Sequence, residues 1–257
     1  MVIHADDLSV ALRLADAADE ITTARFRADD LVVDRKPDRS PVTDADTAVE
    51  DAIRAVLATD RPADAILGEE RGGTLGTGRT WIVDPIDGTK NFLRGVPAWA
   101  TLIALVEGGS PLVGVVSAPA FGRRWWASAG GGAFGSFGGA TRPLRVSGVR
   151  ELADAYLSTT DLQSWGPARS RYLALVEACW ESRAFGDYWQ HCLVADGGVD
   201  VAAEPIANAW DLAAVQLLVT EAGGAFTDLA GETRFDGGSA LATNGHLHEA
   251  ALSILRG

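Results

Sequence analysis

The chain has 257 residues, of which 22 are basic and 35 are acidic, so its formal net charge is −13 at pH 7. A chain of this length with 47 % hydrophobic residues can bury a large core, which excludes a disordered tail, a fibre and a disulfide-stapled miniprotein. The negative charge repels nucleic-acid phosphates and anionic lipids, so we expect no general binding of nucleic acid and no association with membranes. A small phosphorylated substrate remains compatible, because acidic residues can hold metal cations that attract phosphate.

The cysteines and the N-terminal segment favour a cytoplasmic protein. Cys179 and Cys192 form no CxxC motif, which is typical of free thiols in a reducing compartment. The N-terminal segment carries acids where a secretory signal peptide has basic residues and then an apolar run. Apolar runs in the sequence are shorter than the roughly 18 residues that a membrane-spanning helix needs.

Periodic apolar residues predict alternating helices and strands along the first half of the chain. An amphipathic helix is expected over 6–26, a strand over 31–34, and a second helix that begins at Thr43 or Asp44. The strands predicted next lie at 65–70, at 80–88 with an end at Pro85, and, as three consecutive strands, within 99–128.

The second half begins with a glycine-rich stretch at 130–139, in which Gly130–Gly135 matches the pattern GxGxxG. A dinucleotide site would need a helix directly after this pattern, and since none is predicted we interpret the stretch as a turn. The elements predicted after it are a strand at 155–159, helices at 167–180 and 187–196, a strand at 198–205, a helix at 211–222, a strand at 239–244 and a helix at 246–256.

Strands occur both in consecutive runs and in alternation with helices, which indicates a layered α+β protein rather than a regular Rossmann or barrel fold. The sequence shows no linker and no repeat, so residues 1–257 are expected to form a single catalytic unit. Within it, two sub-domains are plausible: 1–145 for metal and phosphate, and 146–257 for substrate specificity.

The most informative motif is DPIDG, in which Asp84 and Asp87 stand at the end of an apolar strand. Pro85 fixes its own φ angle, and Gly88 allows a tight turn. The amides of Gly88 and Thr89 would be free to bind an anion if a helix begins there. One short loop thus offers oxygen ligands for a hard cation and a cradle for phosphate. The alternative is a plain turn with two solvated acids.

Further acids stand at predicted element ends. Glu69 and Glu70 follow a strand, while Asp211 precedes an apolar helix that it could simply cap. Asp44 and Asp46 lie in the first turn of a predicted helix, where acids are favoured by the helix dipole in any case. Asp44 is expected to cap this helix, although the spacing alone would also allow the two acids to exchange roles.

Together, four segments resemble the inositol-monophosphatase-like, lithium-sensitive phosphatases. They occur in the family's order: GEE at 68–70, WIVDPIDGTKNF at 81–92, WDLAA at 210–214 and TEAGG at 220–224. The resemblance implies a layered αβαβα sandwich, a homodimer, and Mg²⁺-dependent hydrolysis of small phosphomonoesters.

The resemblance also implies roles for individual residues. Two or three Mg²⁺ ions, or Mn²⁺ in their place, would be held by Glu69, Asp84, Asp87, Asp211 and the backbone carbonyl of Ile86. Asp46 and Thr89 would orient the attacking water, Asp87, Gly88 and Thr89 would contact the phosphate, and Glu204 would contact the substrate. Several cations suit this chemistry, because they neutralise the phosphate and activate water. We expect in-line displacement without a covalent intermediate.

The segment from Arg183 to His191 bears on the substrate. Its GD followed by two aromatic residues resembles the histidinol-phosphate phosphatase branch of the family. A carboxylate at Asp187 suits a cationic leaving group, and aromatic rings suit a flat or cationic one. In the alternative, Asp187 caps a helix whose aromatic residues are core. Arg183 either contacts phosphate or pairs with an acid.

The leading hypothesis is therefore hydrolysis of L-histidinol phosphate. Inositol phosphate, fructose 1,6-bisphosphate and a phosphoadenosine nucleotide are alternative substrates. A regulatory binding protein with a vestigial metal site is an alternative of another class, against which the complete set of acids argues. His246 and His248 are expected at the surface, and adjacent Trp125 and Trp126 on opposite faces of a strand, where one could lie at a subunit interface.

Overall fold

A computed structural model describes residues 4–37 and 40–257. Within these ranges the helices are α1 (Ala5–Arg25), α2 (Asp44–Asp60), α3 (Thr89–Leu93), α4 (Arg169–Ala178), α5 (Asp187–Asp196), α6 (Ala209–Glu221) and α7 (His248–Arg256). The strands are β1 (Val33–Arg35), β2 (Pro41–Thr43), β3 (Ala65–Gly68), β4 (Gly72–Gly73), β5 (Thr80–Asp87), β6 (Ala100–Glu107), β7 (Ser110–Ala118), β8 (Arg123–Ser128), β9 (Gly132–Phe137), β10 (Ala140–Pro143), β11 (Tyr156–Ser158), β12 (Glu181–Arg183), β13 (Val201–Glu204), β14 (Ala225–Thr227) and β15 (Ala240–Thr243). Short 3₁₀ turns occupy Pro119–Phe121, Leu152–Asp154 and Gly166–Ala168.

The first layers surround an eight-stranded sheet in the order β10-β9-β8-β7-β6-β5-β3-β4. Its strands pair antiparallel except β3 with β5. Alternate residues of β5 face opposite layers: Trp81 packs with α1 and α2, whereas Ile82 packs with α5 and α6. The sheet is therefore buried on both faces, which explains its nearly continuous apolar strands.

The remaining layers surround a five-stranded sheet in the order β12-β11-β13-β15-β14. Ala202 and Ala242 of this sheet share a cluster with α5 and α6, while Val201 and Leu241 pack with α4 and α7. The layers thus run helix, sheet, helix, sheet, helix, which confirms the αβαβα sandwich. The predicted boundary at residue 145 falls between the two sheets, and the division into sub-domains stays a prediction.

Strand β5 differs from its prediction, because it does not end at Pro85. It continues to Asp87, and its register against β6 shifts between Asp84, opposite Leu102, and Asp87, opposite Ala100. Proline lacks the amide that a regular ladder needs, and the irregularity accommodates it. The strand thereby places Asp84 and Asp87 on either side of a local bulge.

The glycine-rich stretch differs as well: only its two ends are turns, and Gly132–Phe137 between them is strand β9, paired with β8 and β10. A Cβ on Gly135 would lie 3.0 Å from Leu144 and 3.3 Å from Trp125. The small residues therefore reflect close packing across the sheet rather than a loop.

The short strands β2, β4, β10, β12 and β14 were not predicted, because two to four residues carry too little periodicity. The expectation that His248 lies at the surface is wrong. It is 6 % exposed, and its ring nitrogens lie 3.0 Å from the Thr227 hydroxyl and 3.1 Å from that of Thr243. His246 is exposed, as predicted.

Trp125 and Trp126 lie on opposite faces of β8, and Trp126 stacks on Phe134. None of the described helices is long and apolar enough to cross a membrane.

Candidate active site

A cavity of about 520 Å³ opens where β3, β5, β11 and β13 end and α5 and α6 begin. Because β11 and β13 run parallel, their carboxyl ends meet at the same edge of the smaller sheet. The acids that line the cavity are Glu69, Asp84, Asp87, Asp161, Asp187, Glu204 and Asp211. Lys90 also lines it. The cavity is strongly negative and suits cations.

Three of these acids form a compact cluster. Asp84, Asp87 and Asp211 each bring a carboxylate oxygen within 4.8 Å of the others. Asp84 and Asp87 come from the irregular end of β5, and Asp211 from the first turn of α6, which packs on that sheet. The fold therefore unites two motifs that are more than a hundred residues apart.

Backbone amides orient all three carboxylates. The amide of Ile86 donates to Asp84 at 3.0 Å, and that of Tyr188 donates to Asp87 at 2.6 Å. The amide of Asn208 donates to Asp211 at 2.7 Å. Asp211 is thus not the N-cap of α6 but its third residue, because the helix begins at Ala209 and Asn208 caps it.

Burial and mutual repulsion raise the pKa of every carboxyl group in this cluster. Burial and then the charges of Glu69, Asp87 and Asp211 hold the pKa of Asp84 well above its usual range. Burial and then the charge of Asp187 do the same to the pKa of Asp87. Burial raises the pKa of Asp211 to about 7. Such a site gains stability from a multivalent cation, and its oxygen donors fit Mg²⁺.

Glu69 follows β3, and its Oε1 lies 2.6 Å from Nζ of Lys36, which also pairs with Glu70 at 2.7 Å. A fully buried carboxylate, Glu50 of α2, holds this turn. It accepts the amide of Glu70 at 2.7 Å and that of Arg71 at 3.1 Å.

Arg54 balances the charge of Glu50 at 2.8 Å, and Gly68 leaves the space that Glu50 occupies, since a Cβ there would overlap its carboxylate. Sequence reasoning missed Glu50. The sequence feature that could have indicated Glu50 is an acidic residue on the buried, otherwise apolar face of α2, between Val49 and Ile53.

Asp46 lies in the first turn of α2, where Thr43 is the N-cap. One oxygen of Asp46 accepts the amide of Thr43 at 2.8 Å, and the other lies 3.4 Å from the Thr89 hydroxyl. That hydroxyl donates to the Ile86 carbonyl at 2.8 Å. Burial raises the pKa of Asp46 to about 6. Asp44 is not a cap: its carboxylate pairs with Arg25 at 2.7 Å.

Gly88 precedes α3 with a φ of +85°, and a Cβ on it would lie 2.8 Å from the Ala98 carbonyl. Both observations explain why glycine stands there. The structure thus forms the turn that the sequence predicted, next to the carboxylate cluster, while its contact with phosphate stays a prediction.

A second group of acids in the cavity lining consists of Asp161, Asp187 and Glu204. It lies beside the cluster, since Asp187 is followed directly by Tyr188, whose amide donates to Asp87. Glu204 is 7 % exposed and ends β13; its oxygens contact the Thr160 hydroxyl and, at 3.0 Å, Nε2 of His191. Asp187 begins α5 with a φ of +47°, and its carboxylate accepts a hydrogen bond from the side-chain amide of Asn91 at 3.3 Å. Burial, and then the charge of Glu204, raises the pKa of Asp187 to about 6.

The sequence profile of the inositol monophosphatase family matches residues 5–257. The chain belongs to this family. A histidinol-phosphatase of Mycobacterium tuberculosis is 58 % identical to it over 97 % of this chain and 98 % of its own. A histidinol-phosphatase of Streptomyces coelicolor is 49 % identical over 98 % of this chain and 97 % of its own. The solved structure of an inositol monophosphatase from Zymomonas mobilis superposes with a TM-score of 0.87 at 34 % identity and covers 98 % of both chains.

Family membership confirms the predicted resemblance and fold, and it makes the chain a phosphatase. In this member of the family, the structure brings eight predicted residues together in or beside the cavity: Asp46, Glu69, Asp84, Asp87, Thr89, Asp187, Glu204 and Asp211. Arg183 is not among them: it is an exposed residue that pairs with Glu181 at 2.6 Å, and it is absent from the cavity lining within the described ranges. The acid-pairing alternative describes its position, and its contact with phosphate stays a prediction.

Proposed function

We propose that this phosphatase hydrolyses L-histidinol phosphate to L-histidinol and phosphate, with Mg²⁺ as its cofactor. The observation that carries the proposal is a second group of acids in the cavity lining, Asp161, Asp187 and Glu204, in addition to the three acids of the carboxylate cluster. Carboxylates there favour a leaving group with a positive charge, and histidinol has an amine and an imidazole. The high identity with the two histidinol-phosphatases supports the same substrate.

The metal would be held by Glu69, Asp84, Asp87, Asp211 and the Ile86 carbonyl. Bound divalent cations offset the charge of the phosphoryl oxygens and favour the ionisation of water. The site fits them because its oxygens converge within 4.8 Å and its carboxyl pKa values are raised by repulsion that a cation relieves. Two or three Mg²⁺ ions are proposed, with Mn²⁺ as an alternative.

Asp46 and Thr89 would orient the attacking water and remove its proton. The Thr89 hydroxyl can turn from the Ile86 carbonyl to Asp46, 3.4 Å away, and its oxygen then accepts a hydrogen bond from water. The amide of Thr43 holds Asp46 in place from the other side. A carboxyl group with a pKa of about 6 is a competent proton acceptor near neutral pH.

The leaving group would lie between the acids and an aromatic wall. Phe185 lines the cavity, and Trp189 packs against it with ring centroids 5.2 Å apart. An imidazole ring can stack on Phe185 while the amine faces Asp187 and Glu204. Both the homodimer and the cytoplasmic location remain predictions from the sequence.

The test is phosphate release with Mg²⁺ from L-histidinol phosphate and from inositol 1-phosphate in parallel, with EDTA as a control. We expect kcat/KM for histidinol phosphate to exceed that for inositol phosphate by roughly 100-fold or more, since two charge-assisted contacts are lost with the neutral sugar. A preference for inositol phosphate, the activity that the name of the Zymomonas mobilis enzyme indicates, would refute the substrate and leave the metal chemistry standing.

A further inference from the structure

His191 occupies a position that the proposed chemistry does not use. It lies on α5, its side chain is 1 % exposed, and its ring packs against Phe226 with centroids 6.1 Å apart. Its Nε2 lies 3.0 Å from one oxygen of Glu204. Nδ1 is buried, and within the described ranges it has no hydrogen-bond partner.

These contacts determine the direction of the hydrogen bond between His191 and Glu204. An ionised carboxylate can only accept, so Nε2 must carry the proton that lies between His191 and Glu204. The hydrogen bond between the two residues therefore runs from Nε2 of His191 to the carboxylate of Glu204.

Thr160 completes the arrangement on the other side. Its hydroxyl contacts the second oxygen of Glu204, and it accepts the backbone amide of Asp187 at 2.9 Å. The two acids that face the leaving group are thus joined through one side chain. Each oxygen of Glu204 keeps a further lone pair that a ligand can use.

We propose that His191 is a positioning residue, which holds the Glu204 carboxylate in a fixed orientation so that it can receive the ammonium group of the substrate. The inference rests on the proposed function and deepens it, because it assigns the recognition of the amine to the unit formed by His191, Glu204 and Thr160. Without the histidine, Glu204 would keep its charge but lose one of the two contacts that set its direction. The preference for an amine-bearing substrate should then fall.

The experiment compares L-histidinol phosphate with its deaminated analogue, in which hydrogen replaces the amino group. In His191→Phe, which keeps a ring against Phe226, we expect KM for histidinol phosphate to rise roughly tenfold, the value of one charge-assisted hydrogen bond. KM for the analogue should change less than twofold. His191→Gln, whose amide nitrogen can replace Nε2, should recover most of the preference.

Two controls separate positioning from general damage. His248→Gln alters another buried histidine, which contacts Thr227 and Thr243 outside the cavity, and should leave the ratio of the two KM values unchanged. In a Glu204→Gln background, His191→Phe should produce no further loss of preference, because both changes act through the same contact.

The outcomes distinguish the inference from the proposed function. If the wild-type enzyme does not prefer the amine-bearing substrate, the proposed function is wrong. If it does, and His191→Phe retains that preference in full, the inference is wrong. Nitrogen NMR of the wild-type ring gives a test that needs no variant: a proton on Nε2 is expected, and a tautomer whose only proton lies on Nδ1 would overturn the inference.

Discussion

The cavity has two groups of acids, and they differ in how their negative charge is balanced. The carboxylate cluster is the metal end, and Asp161, Asp187 and Glu204 form the leaving-group end. At the metal end, Asp84, Asp87 and Asp211 crowd their oxygens within 4.8 Å and accept hydrogen bonds from neutral backbone amides. At the leaving-group end, Glu204 is bonded on both sides, by Thr160 and His191. The carboxylates of the first group repel one another unless a multivalent cation is bound, whereas the orientation of Glu204 in the second group is already fixed by its two contacts. We therefore expect the first group to bind cations and the second group to select the substrate.

The largest effect is expected from removal of one charge at the metal end. Asp211→Asn keeps an oxygen that can accept the Asn208 amide, so α6 should remain capped, but it removes a carboxylate from the cluster. We expect kcat/KM for histidinol phosphate to fall on the order of 10³-fold, as when an electrostatic group that acts on the transition state is lost.

Asp236→Asn is the matched control for this variant, because Asp236 is an exposed acid that pairs with Arg234 away from the cavity. It should retain wild-type kinetics. An Asp211→Asn enzyme with near wild-type turnover would mean that this carboxylate is not a metal ligand.

The next effect concerns the support of Glu69 rather than a ligand itself. Glu50→Gln replaces one carboxylate oxygen by an amide group, which cannot accept both backbone amides of the turn after β3. We expect Mg²⁺ affinity, measured by isothermal titration calorimetry, to weaken by roughly 10- to 100-fold, as for other groups that orient metal ligands.

Asp51 provides a neighbouring control for Glu50, since it lies on the same helix and pairs with Arg71 at the surface. Asp51→Asn should bind Mg²⁺ as the wild type does. Equal affinities for the Glu50 and Asp51 variants would show that the turn after β3 needs no buried carboxylate.

At the leaving-group end, Asp187→Asn should reduce selectivity rather than abolish turnover. We expect the preference for histidinol phosphate over its deaminated analogue to fall about tenfold, because one charged contact with the ammonium is removed. Steady-state kinetics on the two substrates measure this ratio, and Asp196→Asn, outside the cavity, should leave it unchanged. An unchanged ratio in the Asp187 variant would assign the amine to other residues.

The two ends also differ in how much of them could be predicted from the sequence. The metal end consists of short motifs in which the chemistry and the turn are adjacent: Asp84 and Asp87 are three residues apart at a strand end, and Asp211 lies in the first turn of a strongly apolar helix. The resemblance then supplied roles for each of them. The helices and long strands followed from their periodicity in the same way.

The leaving-group end depends on contacts between residues that are far apart in the sequence, and a local sequence pattern cannot predict such contacts. Thr160 follows a three-residue strand. His191 lies three residues after the core residue Tyr188 on α5, so its position in the sequence predicts only that it faces the apolar core. Only the parallel pairing of β11 with β13 brings Thr160 beside Glu204. Glu50 was missed for a similar reason, because its partners are amides about twenty residues away.

The smallest effect is a pH dependence of stability that a bound cation is expected to change. Burial raises the pKa of Asp46 to about 6 and that of Asp211 to about 7, from an ordinary value of 3.8. A carboxyl group whose pKa is higher in the folded protein contributes stability that is complete below about pH 4 and is lost as pH rises through the folded value. The metal-free enzyme should therefore lose stability from these groups between pH 4 and pH 7. Bound Mg²⁺ relieves the same repulsion and competes best when the carboxylates are ionised.

We accordingly expect the difference in Tm between the enzyme with Mg²⁺ and the enzyme with EDTA to widen from pH 5 to pH 8. Taking this difference cancels the pH dependence of surface ion pairs, which both samples share. In Asp211→Asn, which lacks one of the titrating carboxyl groups, the widening should be smaller, whereas Glu204→Gln, which changes the leaving-group end, should preserve it. A difference in Tm that is constant over this range would mean that the carboxyl groups of the cluster are already ionised at pH 5, and that the amides of Ile86, Tyr188 and Asn208 stabilise their charges without help from a cation.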